Sequence, residues 1–244
     1  MAEKTAVREF SPDSNPDVSE AGFYSFAEPG RLNRDSFERL MNCGLSPGVC
    51  ASLFTGVLMP HYLHNNNNLM VGVMGNLDLA GMFMPDLARV EPKLKAARTA
   101  TSSAVDFLRQ LSDAQGYLQG GSPAERMRRL GVLIEAACGR SVHVSGLDGM
   151  WDPGEKLETW LASVHGALAW ALLCMGGNGR IDCSFGGQCS LVWERPRTSG
   201  SPHMPGSEMA MSVLALAAGL VTGSGGKVML HSWSDHRGEV RIVI

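Results

Sequence analysis

The sequence predicts an α+β fold, an N-terminal antiparallel helical hairpin that forms a four-helix bundle on dimerisation, followed by a two-layer α/β sandwich. Three observations predict it. Two long segments, 47–84 and 87–118, repeat apolar residues at helical spacing. Between them and the rest of the chain lies Gln119-Gly120-Gly121-Ser122-Pro123, which has the composition of a domain boundary. Beyond that linker, helical patterns alternate with short, mostly antiparallel strand patterns. The 244 residues leave room for one or two domains, and 44% apolar against 18% charged residues excludes a wholly disordered chain. A net charge of -3 supplies no global basic field for nucleic acid.

The elements follow in order. Residues 1–33 are polar, carry Pro12, Pro16, Pro29 and Gly30, and are read as a disordered tail or a loosely docked extension. Asp35 is placed to cap a short helix through Cys43. The hairpin region, 34–120, then opens its first long helix at Pro47. Met59, Tyr62, Leu63, Leu69, Met70, Val73 and Leu77 form its stripe, with Pro60 expected to kink it or remove a bond. Pro85-Asp86 makes the break. The second helix carries Leu87, Val90, Leu94, Ala97, Thr101, Ala104, Leu108 and Leu111. Two such helices cannot bury their apolar faces fully against each other, and hairpins of this shape pair into four-helix bundles.

The sandwich region, 121–244, reads as a helix at 124–138, a strand at 141–145 and a helix at 155–175. Strands at 180–185 and 189–194 follow, then a polar loop, a helix at 208–222, and a closing strand pair at 227–233 and 239–244. The most continuous apolar run noted, Met209 to Val221, is shorter than the ~20 residues of a membrane span. The N-terminus lacks the apolar core of a signal peptide, so a cytoplasmic protein is expected. Six cysteines without a CxxC pair are read as reduced thiols, not a disulfide or zinc framework. The histidines other than His64 show no ligand spacing, so no metal is expected.

The informative stretch runs from His64 to Ala80. Its four consecutive asparagines, Asn65 to Asn68, disfavour helix because their side chains compete for backbone bonds, yet the apolar stripe continues on both sides. On a helical wheel Asn68 lies about 40° from His64 and Gly75 about 20° from it, opposite the stripe. His64 is therefore exposed, with Asn68 one turn below. An exposed imidazole can attack a phosphoryl group through its neutral nitrogen, and Asn68 can hold phosphoryl oxygens or orient a water. Spacing alone favours a plainer alternative, a surface histidine in a polar patch.

The stretch resembles the phosphoacceptor box of sensor histidine kinases, in the form His-Asp-Phe-Asn-Asn-Leu-Leu-x-x-Ile-x-Gly-Asn-Leu-Glu-Leu-Ala. His64, Asn67, Asn68, Leu69, Gly75, Asn76, Leu77, Leu79 and Ala80 match in register, with Met70, Val73 and Asp78 as conservative replacements. Two positions depart. The acidic residue that assists autophosphorylation is Asn65 here, and the aromatic after it is Asn66, near the buried stripe and in need of a partner. The resemblance extends more loosely to the C-terminus. Cys174 to Ile181 is similar to the turn that leaves the family's nucleotide-binding helix, and Gly219 to Val228 is similar to the helix end before the last hairpin. The family's working residues are missing. Trp170 stands where a magnesium-binding Asn belongs and Leu173 at a nearby Asp. The two glycine boxes would fall at Val192 to Pro196 and Met211 to Leu214, which contain no glycine.

The resemblance implies a dimeric histidine phosphotransferase with a degenerate ATP-binding sandwich. His64 would be the phosphoacceptor and Asn68 would position the phosphoryl group or a water. No cofactor is expected to bind, and the magnesium for transfer would come with a partner receiver domain. Neither nucleic acid nor membrane is an expected partner. The alternatives are a receiver phosphatase, a non-catalytic binding module and, last, an active kinase.

Overall fold

The computed structural model describes residues 8–10, 34–138, 142–145, 154–175, 179–185, 188–194, 208–233 and 237–243. A short helix, α1 (Arg34–Met41), leads into α2 (Pro47–Phe83, 37 residues) and α3 (Leu87–Ala114, 28 residues). Ser46 caps α2, its hydroxyl accepting the Val49 amide at 3.4 Å, and Pro47 occupies the first turn, where no partner for its nitrogen is needed. The helix runs on through Pro60, although a proline ring leaves the Gly56 carbonyl without its usual donor. Asp86 sits at the start of α3, but its carbonyl, not its side chain, receives the first amides.

The sequence stripes divide in two. Val73 and Ala80 of α2 and Val90, Ala97 and Ala104 of α3 are buried along the hairpin, while Tyr62 of α2 and Leu111 of α3 are buried in the core shared with the rest of the chain. Met59, Leu63, Met70 and Leu77, with Leu94 and Leu108 of α3, remain exposed. The hairpin thus leaves an apolar face uncovered in the single chain. The second long helix also stops earlier than the pattern predicts. Residues from Gln115 onward turn, and Gly120 and Gly121 take positive φ angles of 58° and 87°. This turn points Tyr117 into the core.

After it come α4 (Pro123–Cys138), β2 (Val142–Ser145) and a single 3-10 turn that opens α5 (Leu157–Met175). The rest is β3 (Gly179–Phe185), β4 (Cys189–Glu194), α6 (Glu208–Gly223), β5 (Lys227–Trp233) and β6 (Arg237–Val243). An edge strand, β1 (Arg8–Phe10), completes a six-stranded sheet of order β1-β5-β6-β4-β3-β2. Within the 1–33 segment, Arg8–Phe10 docks by pairing with Val228–Leu230 of β5. The remainder of that segment lies outside the described residues. All pairings are antiparallel except β2 with β3, and α5 supplies the crossover that a parallel pair requires.

One face of the sheet is buried under helices. Cys189, Leu191 and Trp193 of β4 and Val240 and Ile242 of β6 point inward, alternating with half-buried or exposed neighbours. By length and composition the helical stretch Gly154–Met175, which contains α5, could cross a membrane, so the most span-like segment is not the 209–221 run noted from sequence. Yet 83% of its apolar window is buried in the fold, as expected of a helix that is apolar all round. The core is continuous across the 119–123 linker, joining Phe54, Leu58 and Tyr62 of α2 to α4, α5, α6 and the sheet. All six cysteines are free thiols.

Candidate functional site

His64 lies near the middle of α2, exposed, on the side turned toward α4. It borders an open groove of about 1190 Å³ between α2, α3 and α4. The Nδ2 of Asn68 sits 3.2 Å from the Nε2 of His64. With the carboxamide donating, the Nε2 lone pair accepts this bond and the ring proton is on Nδ1, so Nε2 becomes a nucleophile once the Asn68 amide turns away from it. Two turns beyond Asn68 along this side, Gly75 is exposed, and a Cβ built on it would meet nothing within 4 Å. The structure therefore brings the two sequence-predicted site residues together.

The four consecutive asparagines have four different environments, one per step around the helix. Asn65 turns toward α4, and its Nδ2 donates to the carbonyls of Ala136 at 2.8 Å and Ala137 at 3.1 Å. These carbonyls belong to the last turn of α4, where helices leave acceptors unpaired. The position that carries an acid in the kinase box thus tethers the C-terminal half to the hairpin. Asn66 is half-buried on the seam of the hairpin, and its Oδ1 has no partner. Asn67 faces solvent, and Asn68 meets His64.

The groove holds charges that sequence reasoning missed. Arg128 and Arg129 come from α4 and Asp113 from α3. Arg129 is paired with Glu125 at 2.7 Å and also donates to the Gln119 carbonyl. Arg128 has no partner among the described residues. The Arg126-Met127-Arg128-Arg129 run is visible in the sequence, but its placement opposite His64 depends on how α4 docks. That docking is fixed partly by Arg126, a buried cation that donates to the carbonyls of Tyr117 and Leu118 and lies 3.6 Å from Glu158. His61, one turn before His64, is half-buried, and burial together with the neighbouring His64 holds it below the usual histidine range. Among the described residues no group of three or more His, Cys, Asp or Glu side chains is placed to hold a metal.

Below the groove a buried pair joins the halves. The Tyr117 hydroxyl and His165 Nδ1 are 2.9 Å apart, and His165 meets the Phe54 and Tyr117 rings edge-on at 5.7 and 5.4 Å between centroids. Complete burial pushes the His165 imidazole down to about 3, so it is neutral at physiological pH.

Two of the positions where the resemblance would place ATP-site residues, Trp170 and the segment Met211 to Leu214, are largely apolar and buried. Trp170 is fully buried, its ring 6.3 Å from that of Trp193. Met211 to Leu214 continue helix α6, with Met211, Val213 and Leu214 buried. A magnesium nucleotide needs oxygen ligands and open backbone donors, and these residues do not fit it. Pro196, the end of the first glycine-box position, and the polar loop after it lie outside the described residues.

No family model matches the sequence, and no curated protein matches it. Solved structures match it as well, among them the following two. A bacterial phosphotransferase superposes over 78% of this chain and 95% of its own, with 10% identity and a TM-score of 0.40. The blue-light activated histidine kinase EL346 of Erythrobacter litoralis superposes over 73% of this chain and 58% of its own, with 15% identity and a TM-score of 0.31.

Proposed function

We propose that this chain is a histidine phosphotransferase that relays phosphoryl groups between receiver-domain aspartates in two-component signalling. The observation that carries the reading is the exposed His64 imidazole, its Nε2 aligned by Asn68 at 3.2 Å, at the edge of a wide groove. As the Asn68 amide turns from Nε2 to the incoming phosphoryl oxygens, Nε2 attacks the phosphorus of a receiver aspartyl phosphate. An N–P bond forms as the P–O bond to the aspartate breaks, the aspartate leaves as a carboxylate, and the Nδ1 proton passes to solvent. Transfer to a second receiver reverses these steps. Asn68 donates to the phosphoryl oxygens, and the unpaired Arg128 supplies positive charge in the same groove. Magnesium is contributed by the receiver. The uncovered apolar face of the hairpin is the homodimer interface, closing a four-helix bundle.

The test is incubation with a phosphorylated receiver. Acid-labile label should appear on the wild type and be absent from His64→Ala, and Asn68→Ala should slow transfer by about 10–100-fold. Equal labelling of His64→Ala would refute the assignment. The exposure of Asn68 also suits a phosphatase that aligns a water, and then His64→Ala would keep dephosphorylating the receiver while Asn68→Ala would not. Calorimetric binding of magnesium ATP would restore the kinase alternative, and unchanged signalling from a His64→Ala strain would favour a binding module.

A further inference from the structure

We infer that His61 is a positioning residue for the phosphorylated form of His64, binding a proton from solvent as the phosphoryl group arrives and holding the new anion. The inference rests on His64 being the phosphoacceptor, as proposed above, and adds a proton-linked control to that site. His61 and His64 are three residues apart on α2, which is helical from Pro47 to Phe83, so their Cβ atoms are ~5–6 Å apart. They lie about 60° apart around the axis, on one side of the helix. Long side chains on a helix lean toward its N-terminus, so the His64 ring covers the turn that carries His61. The two imidazoles already sense each other. His61 is half-buried, and burial first, then the charge of His64, hold it below the usual histidine range, which leaves it neutral in the resting protein.

Phosphorylation reverses the sign of that neighbour. A phosphoryl group on Nε2 carries up to about two negative charges. At ~6 Å, and even with the dielectric constant of water, two such charges favour imidazolium over imidazole at His61 by about 10-fold. Linkage makes the effect reciprocal: a protonated His61 favours the phosphoryl group on His64 by the same factor. Falling pH therefore draws phosphate from the receiver aspartate onto His64. Other ionisable groups surround this turn. Asp113 of α3 and Arg128, Arg129 and Glu135 of α4 line the groove beside His64, two of each sign, and His165 of α5 is buried and neutral below it. Carboxylates and guanidinium groups keep their charge near neutral pH, so His61 is the group beside His64 whose charge can change there.

NMR titration of the histidine ring protons, on the full chain before and after treatment with phosphoramidate, tests this. That small donor needs no docking: its P–N bond breaks as the N–P bond to Nε2 forms, and ammonia leaves with the Nδ1 proton as ammonium. The His61 signal is assigned by its loss in His61→Gln or His61→Asn. Its titration midpoint should rise by about 1 pH unit or more on phosphorylation of the wild type. The same treatment of His64→Ala should leave it where it was. A phosphorylated wild type whose His61 midpoint moves by less than ~0.3 pH unit, or a rise that persists in His64→Ala, overturns the coupling alone. A wild type that takes up no phosphoryl group on His64 overturns the phosphotransfer reading as well.

Discussion

Exchanging Asn65 for Asp replaces one NH2 group by an oxygen, and it should cost more than deleting the side chain. Asn65 Nδ2 holds two carbonyls in the last turn of α4, at 2.8 and 3.1 Å. Removing it, as in Asn65→Ala, loses two neutral hydrogen bonds at ~0.5–1.5 kcal/mol each, or about 1–3 kcal/mol together. Asn65→Asp loses the same bonds and also sets a carboxylate against two carbonyls at the negative end of the α4 dipole. That adds ~1–2 kcal/mol in a partly buried site, for a total of about 2–5 kcal/mol. In a chain of this size each kcal/mol lowers Tm by about 2–4 °C, so the Asp variant should melt roughly 4–20 °C below wild type at pH ~8. The carboxyl pKa is raised in the folded state, because only the protonated acid can donate to a carbonyl. The penalty is therefore full above the folded pKa and disappears as pH falls below the unfolded value of ~3.9. The assay is thermal melting of wild type, Ala and Asp variants at several pH values, with hydrogen exchange of the last turn of α4 as the local readout. An Asp variant that melts within ~1 °C of wild type at pH ~8, or a gap that widens on acidification, would refute the tether.

Two further outcomes concern the junction between the halves. His165 is held at about 3 in the folded state against an unfolded value near 6.5, so the unfolded chain binds the proton first and stability falls with pH between these values. About 2 kcal/mol should be lost by pH ~5, and His165→Leu should remove this part of the loss, which urea titrations at pH ~7 and ~5 would measure as a narrowing gap between variant and wild type. A Cβ at Gly166 would stand 2.7 Å from Ala217 Cβ and 2.8 Å from the Phe54 ring. Gly166→Ala should therefore lose ~1–3 kcal/mol to overpacking, offset in part by ~1 kcal/mol of helix propensity. Gly75→Ala, with open space around it, should instead gain up to ~1 kcal/mol in the same urea titration.

The helical elements were legible because their periodicity is local and long. The apolar stripes of α2 and α3 place both helices to within a few residues, and Pro47 marks the start of α2. The end of α3 was not legible, since Leu118 continues the periodic pattern while Tyr117 is drawn inward by His165, which lies 48 positions away. Strand β1 was missed for a similar reason. Arg8–Phe10 carries no strand pattern of its own and is ordered by pairing with an edge more than two hundred residues later. Of the candidate site, His64 and Asn68 could be found because i and i+4 on a helix share a face. Arg128 could not, because nothing local says which face of the hairpin α4 covers.

The asparagine run shows the division most clearly. Composition and periodicity alone determined that residues 65–68 are helical, that His64 is exposed with Asn68 beside it, and that Asn66 lies near the buried stripe. Only the tertiary structure decided that Asn65 ties down α4 and that the Asn66 carbonyl is left without a donor. The reason is physical. Helical period sets the direction of each side chain from backbone geometry alone, whereas a hydrogen-bond partner depends on which distant element is packed there.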